Sequence, residues 1–227
     1  MTVVKISKRQ LVKIIDHTLV KPTATKGAIM KLCREAEKYG FGCVCVNSEY
    51  IPLAMQLLEG TDVKVCSTVG FPFGATLTDV KAFEAKRAVE NGASEVDMVI
   101  NIGALKSGDY EKVKEDIKAV LDVKRSHGDV VVKAIIETGY LTNEEKTKAC
   151  KLAKEAGADF VKTATGLVGG ATVEDVRLTR KTVGKDMGVK AAGGIRVFKQ
   201  ALIMIEAGAN RIGTSTAVAI METFPDK

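Results

Sequence analysis

Three lysines occupy positions where apolar side chains are expected. Lys162 lies in the run 158–166, Lys133 in 130–136 and Lys190 in 188–194, and each run reads as a short buried strand. A buried ammonium costs roughly several kcal/mol unless it is paired or neutralised. Three such sites therefore point to a reactive amine with a lowered pKa, for which Lys162 is the candidate. A neutral amine attacks a carbonyl to give a Schiff base, an electron sink that lets carbon–carbon bonds break or form. A second cation nearby disfavours the charged form, and Lys190 is the natural neighbour of Lys162 if their runs are adjacent strands. Asp97, in the apolar run 95–100, is a carboxylate able to pair with a lysine or to move protons. The alternative reading of these buried charges is a set of structural ion pairs.

Positioning these groups falls to alternating apolar runs and amphipathic stretches, the pattern of a parallel β/α protein. Strands are expected at 16–20, 42–46, 63–69, 95–100, 130–136, 159–164, 188–192 and 210–213. Eight strands with intervening helices predict an α/β fold, a (β/α)8 TIM barrel, as a single domain over 1–227. Thr142 with Glu145 forms a capping-box pattern, and Thr172 with Asp175 a shorter version. Helices are expected to stop at Gly40, Gly92, Gly128, Gly157 and Gly208. Five residues beyond such glycines stand Cys45, Asp97, Lys133, Lys162 and Gly213, a recurrence that predicts a shared inward face at similar depth. The count from Gly60 gives Val65 instead, and the seventh unit has no clean equivalent.

In this fold the loops after strands seven and eight commonly hold phosphate through backbone N–H groups. Gly193 and Gly194 follow the seventh strand, and Gly213, Thr214, Ser215 and Thr216 lead from the eighth into a short terminal helix. Gly166, Gly169 and Gly170 after the sixth offer more donors. Cys45 reads as a small core residue rather than a nucleophile. His17 either binds substrate or satisfies a buried hydrogen bond.

Composition narrows the function classes. Of 227 residues 46% are hydrophobic, ample for a core, and no stretch approaches the ~20 apolar residues of a membrane span. Residues 1–10 mix Lys5, Lys8 and Arg9 with isolated apolar side chains, unlike a signal peptide. Five cysteines without CxxC spacing and only two histidines argue against a metal centre and for reduced thiols in the cytoplasm. The net charge of +6 is spread along helices, and aromatics are 5% with no Trp, which argues against nucleic acid and favours anionic metabolites. Neither a P-loop nor a GxGxxG fingerprint is present.

Taken in order, Asp16-His17-Thr18-Leu19, Gly70-Phe71-Pro72-Phe73-Gly74, Glu95-Val96-Asp97, Lys133 with Ile136-Glu137-Thr138-Gly139, Phe160-Val161-Lys162-Thr163 with Thr165-Gly166, Lys190 with Gly193-Gly194-Ile195-Arg196, and Arg211-Ile212-Gly213-Thr214-Ser215 resemble the deoxyribose-phosphate aldolases, a class I aldolase family. The resemblance spans nearly the whole chain. It implies reversible cleavage of 2-deoxy-D-ribose 5-phosphate to glyceraldehyde 3-phosphate and acetaldehyde, with Lys162 as the Schiff-base lysine and Asp97 and Lys190 moving protons. It further implies that Asp16, Cys45 and Lys133 line the site and that Gly193, Gly194 and Ser215 hold the phosphate; Thr18, Thr165, Gly166 and Gly213 complete the expected substrate-binding set. No metal or organic cofactor is implied, and a homo-oligomer is. Some members carry a lysine after the TxTG segment where this chain has Leu167, a departure that bears on phosphate binding. The rival readings are a Schiff-base aldolase for another phosphorylated sugar and a non-catalytic sugar-phosphate-binding barrel.

Overall fold

All eight expected strands are present in the computed structural model, which describes residues 6–225. They are β1 (Ile15–Leu19), β2 (Cys43–Val46), β3 (Lys64–Val69), β4 (Glu95–Val99), β5 (Val131–Ile135), β6 (Phe160–Lys162), β7 (Gly188–Ala192) and β8 (Arg211–Thr214). Every neighbouring pair is parallel, and β8 returns to β1, so the sheet closes into a barrel of the (β/α)8 class. The sixth strand is shorter than expected, because past Lys162 the chain turns toward Gly166 at φ 89°. The reading of residues 1–10 lies partly outside the described residues; from Ser7 onward a capping box starts the helix Lys8–Lys13.

The strands carry two kinds of buried side chain because successive residues face opposite sides of a sheet. Val44, Val46, Val96, Met98, Val132, Ala134, Val161, Val189, Ala191 and Ile212 face outward into the apolar layer under the helices. Burying each of the larger ones contributes about 1.5–3 kcal/mol. Cys43, Cys45 and Cys66 form a separate apolar cluster inside the barrel, packed against Val20. The same inward positions on β4 to β7 carry Asp97, Lys133, Lys162 and Lys190, all buried.

The two units that break the glycine count do so by one residue. Cys66 rather than Val65 is the inward residue of β3, with its Sγ 3.2 Å from Asp97, while Val65 joins the outer layer. In the seventh unit Gly184 ends the helix Val173–Val183, and Lys190 falls one residue later than the count predicts. Thr142 and Glu145 make both capping-box bonds. Thr172 accepts from the Asp175 N–H without a reciprocal bond, because the shorter Asp175 carboxylate pairs with Lys146 at 2.6 Å. Gly40 and Gly157 end helices in the left-handed conformation, whereas Gly128 departs from it with ψ −135°.

Candidate active site

Strand register brings the unusual residues together. Asp97 is the Cα partner of Lys133, and Lys162 of Lys190. Asp97 Oδ2 accepts from Lys162 Nζ at 2.8 Å and from Lys190 Nζ at 2.7 Å, while its Oδ1 lies 3.0 Å from Lys133 Nζ. From there a chain of alternating charge runs around the barrel. Lys133 meets Glu95 at 2.5 Å, Glu95 meets Arg211 at 2.8 Å, Arg211 meets Asp16 at 2.8 Å, and Asp16 meets Lys190 at 2.5 Å. Since Lys190 also binds Asp97, the chain is a closed ring of three carboxylates and three cations, with Lys162 attached to it through Asp97.

The ring decides which groups stay charged. Burial alone would raise the Asp97 pKa, but Lys133, Lys162 and Lys190 outweigh it and hold the carboxyl well below its usual range. Asp16 is likewise lowered: Lys190 and Arg211 override the cost of burial. Burial would lower Lys190, yet Asp16 and Asp97 push it well above the ordinary lysine value, and Asp97 does the same for Lys133. The array thus supplies an ionised acceptor at Asp97 and ammonium donors at Lys190 and Lys133.

Above the ring, at the C-terminal ends of the strands, opens a cavity of about 280 Å³. Lys162 stands at its base, with only 4% of its side chain exposed. Thr18, Thr165, Gly166, Gly193, Gly194, Gly213 and Ser215 line it. A larger groove of about 680 Å³ runs along the outer helices past Leu77, Phe83 and Lys112. It does not reach the ring, so we assign the chemistry to the smaller cavity.

Glycine is required at two places for different reasons. A Cβ on Gly193 (φ 93°) would come within 2.8 Å of Gly170 Cα and 2.9 Å of Gly169 O, so the loops after β6 and β7 stack only without side chains there. A Cβ on Gly213 would lie 3.0 Å from Lys190 Cε, so this glycine leaves room for the lysine.

Other expected site residues sit elsewhere. Asp16, Cys45 and Lys133 lie below the cavity rather than on its wall: Asp16 and Lys133 are ring members, and Cys45 Sγ is 3.9 Å from Asp97 Oδ2. Hydrogen bonding to Cys66 and burial hold the Cys45 thiol well above the ordinary thiol range, which makes it a poor nucleophile. The Thr165 hydroxyl is engaged: it donates to Glu137 and accepts from the Leu167 N–H, so it shapes the wall. His17 points outward, 2.8 Å from Glu35 and edge-on to Phe41, which is the buried hydrogen bond and not the substrate contact. Burial moves its pKa below the ordinary value against the pull of Glu35.

Sequence reasoning missed several contributors. Lys21 and Arg196, exposed just past the ends of β1 and β7, line the cavity and add two cations to it. Glu137 is buried at φ 51°, a left-handed conformation rare for a non-glycine residue, and accepts from the Thr165 N–H at 3.0 Å. Its signal was a carboxylate directly after an apolar run. Two sets of donors, Cys45–Cys66–Asp97 and Asp16–Cys43–Glu95, are close enough to hold a metal ion. Each carboxylate in them already carries an ammonium or guanidinium, so a metal would have to displace one.

The match to the family model "DeoC/LacD family aldolase" covers residues 11–222. The chain is 64% identical over 224 residues to the deoxyribose-phosphate aldolase of Thermococcus kodakarensis, covering 97% of this chain and 100% of that one. It is 60% identical over 215 residues to that of a Thermoanaerobacter species, covering 94% and 96%. Among solved structures, the deoxyribose phosphate aldolase of Aeropyrum pernix, described as a unique tetramer, superposes with a TM-score of 0.89 at 36% identity, covering 96% of this chain and 92% of that one. With a barrel of the same kind and a buried lysine array at and beneath the base of its cavity, the chain belongs to the DeoC/LacD family of aldolases.

Proposed function

We propose that the chain is a class I aldolase that reversibly cleaves 2-deoxy-D-ribose 5-phosphate to glyceraldehyde 3-phosphate and acetaldehyde. The observation that carries the mechanism is the placement of Lys162 at the cavity base, bonded to a carboxylate that already serves Lys190. Neutral Lys162 attacks the open-chain aldehyde, and the resulting carbinolamine loses water to give an iminium. The 3-hydroxyl gives up its proton, the C2–C3 bond breaks, and its electron pair flows into the iminium to form an enamine. Glyceraldehyde 3-phosphate leaves, C2 of the enamine takes a proton, and hydrolysis releases acetaldehyde and restores the amine. Asp97 accepts and the Lys190 ammonium donates in these transfers.

The reach of the cavity supports the substrate assignment. The aldehyde end meets Lys162, while the phosphate meets backbone N–H groups near Gly193, Gly194 and Ser215 and the charges of Lys21 and Arg196. With Leu167 in place of a lysine, those two cations carry the electrostatic share of phosphate binding. We read the chain as one domain over 1–227 and place it in the cytoplasm, in keeping with five buried free thiols. No helix among the described residues is long and apolar enough to cross a membrane. A homo-oligomer fits the exposed apolar side chains of Phe73, Leu77, Val80 and Phe83, and the partner molecule is a sugar phosphate rather than nucleic acid.

The test is turnover across substrates. Incubation with 2-deoxyribose 5-phosphate should release equal amounts of glyceraldehyde 3-phosphate and acetaldehyde, and a Lys162→Leu variant should release neither. Binding without release would leave a sugar-phosphate-binding barrel, and faster release from a keto acid or another sugar phosphate would reassign the substrate.

A further inference from the structure

The mechanism employs Lys162, Asp97 and Lys190 and gives no task to Glu95 or Arg211. Glu95 opens β4 and Arg211 opens β8, at the end of the barrel opposite the cavity, and neither lines it. Yet they close the ring. The Arg211 guanidinium spans two carboxylates, with Nε 2.8 Å from Asp16 Oδ1 and Nη2 at 2.9 and 2.8 Å from the two Glu95 oxygens. Only a planar fork holds two carboxylates in this way.

The charged and titratable groups around Lys162 come from every side of the barrel. Asp97 on β4 touches it directly; Lys133, Lys190 and Asp16 follow on β5, β7 and β1. Cys45 and Cys66 lie beside Asp97 on β2 and β3, and Lys21 and Arg196 stand at the cavity wall. Within the buried set, Asp16, Glu95 and Asp97 face Lys133, Lys190 and Arg211, and the Cys66 thiol, whose pKa is lowered, lies between Asp97 and Lys133. Lys162 joins this set through Asp97 alone, sharing an oxygen that Lys190 already occupies. Neutralising either distal member therefore changes the charge that a proton on Lys162 meets, without touching Lys162 or the substrate.

We propose that Glu95 and Arg211 are positioning residues that set the charge of the ring and thereby the pH above which Lys162 is free to attack the aldehyde. The proposal rests on the reading of Lys162 as the Schiff-base lysine. Removing the Glu95 charge leaves the ring with an excess cation, which favours loss of the Lys162 proton. Removing the Arg211 charge leaves an excess anion, which favours keeping it.

The experiment measures the pH dependence of kcat/KM for 2-deoxyribose 5-phosphate, and of borohydride trapping of acetaldehyde, in the wild type, Glu95→Gln, Arg211→Gln, the double variant and Arg211→Lys. The acidic limb should move down by about one pH unit in Glu95→Gln, up by about one in Arg211→Gln, and return in the double variant. Arg211→Lys keeps the charge and should leave the limb in place even if the fork is lost. Limbs that stay put while kcat falls alike in all variants, or that move in the same direction in both single variants, would overturn the proposal. Should Arg211→Gln not fold, Glu95→Gln and Arg211→Lys decide by the same criteria. Wild-type trapping separates the two readings: its absence removes the role of Lys162, whereas trapping with unmoved limbs removes the ring proposal alone.

Discussion

At the scale of single residues, one carboxylate organises three amines. Asp97 holds Lys133, Lys162 and Lys190 within 3.0 Å, yet among these lysines Lys162 alone reaches the cavity. Replacing Lys190 with Met should lower kcat by about 10²–10⁴-fold, the range for a lost proton-transfer group, in a protein that still folds. A fall in KM's favour alone, with kcat unchanged, would remove Lys190 from proton transfer. Arg196→Ala should raise KM for the phosphorylated substrate by about tenfold, the order expected for one charge-assisted bond, and leave unphosphorylated acetaldehyde unaffected. Steady-state kinetics on both substrates checks this. The buried lysines were legible because a charge inside an apolar run is chemically odd. Lys21 and Arg196 were not, since an exposed cation after a strand looks like any solvated surface group until the barrel curls it over the cavity. Glu95 and Arg211 were harder still: their meaning depends on a bond between residues 116 positions apart.

At the scale of elements, the strands were readable from their apolar runs and the helices from their caps. The inward register emerged from the spacing between helix-ending glycines and inward residues. It failed at β3 and β7, where the connection before the strand is one residue longer. The loops were less legible, because their geometry depends on what they stack against. Gly193→Ala should separate the loops after β6 and β7, since the new Cβ would lie 2.8 Å from Gly170 Cα, and so weaken phosphate binding more than Schiff-base formation. Equal losses in both would contradict this. A further element is tied down outside the barrel. Lys81, fully buried, donates to Asp116 at 2.6 Å and to the Val99 carbonyl at 2.9 Å, anchoring the helix Thr78–Glu90 to the end of β4. Lys81→Met would strand the Asp116 carboxylate and should cost about 3–5 kcal/mol in urea unfolding.

At the scale of the whole molecule, the ring makes stability a function of pH. Asp16 and Asp97 have folded pKa values below the ordinary 3.8, so their contribution is complete above that value and is lost as pH falls through the folded values. Lys133 and Lys190 lie above the ordinary 10.5, so theirs is complete below 10.5 and is lost as pH rises through the folded values. His17 is lowered from 6.5, so the unfolded chain takes up its proton first, and stability declines as pH drops below 6.5. The melting temperature should therefore fall above about 9, where the unfolded chain ionises the thiols of Cys33, Cys43, Cys45 and Cys150 that burial keeps protonated in the fold, and should also fall on the acid side, with the His17 part of that decline absent in His17→Gln. A melting temperature that rises steadily toward pH 4 would contradict this. The fold that collects these charges in one place serves a single amine, and the most direct measurement addresses it: borohydride trapping with acetaldehyde, followed by peptide mass mapping, with Lys162→Leu as control. A reduced two-carbon adduct on the peptide bearing Lys162, absent from the control, is the expected result; no adduct, or one on Lys133 or Lys190, would contradict the account.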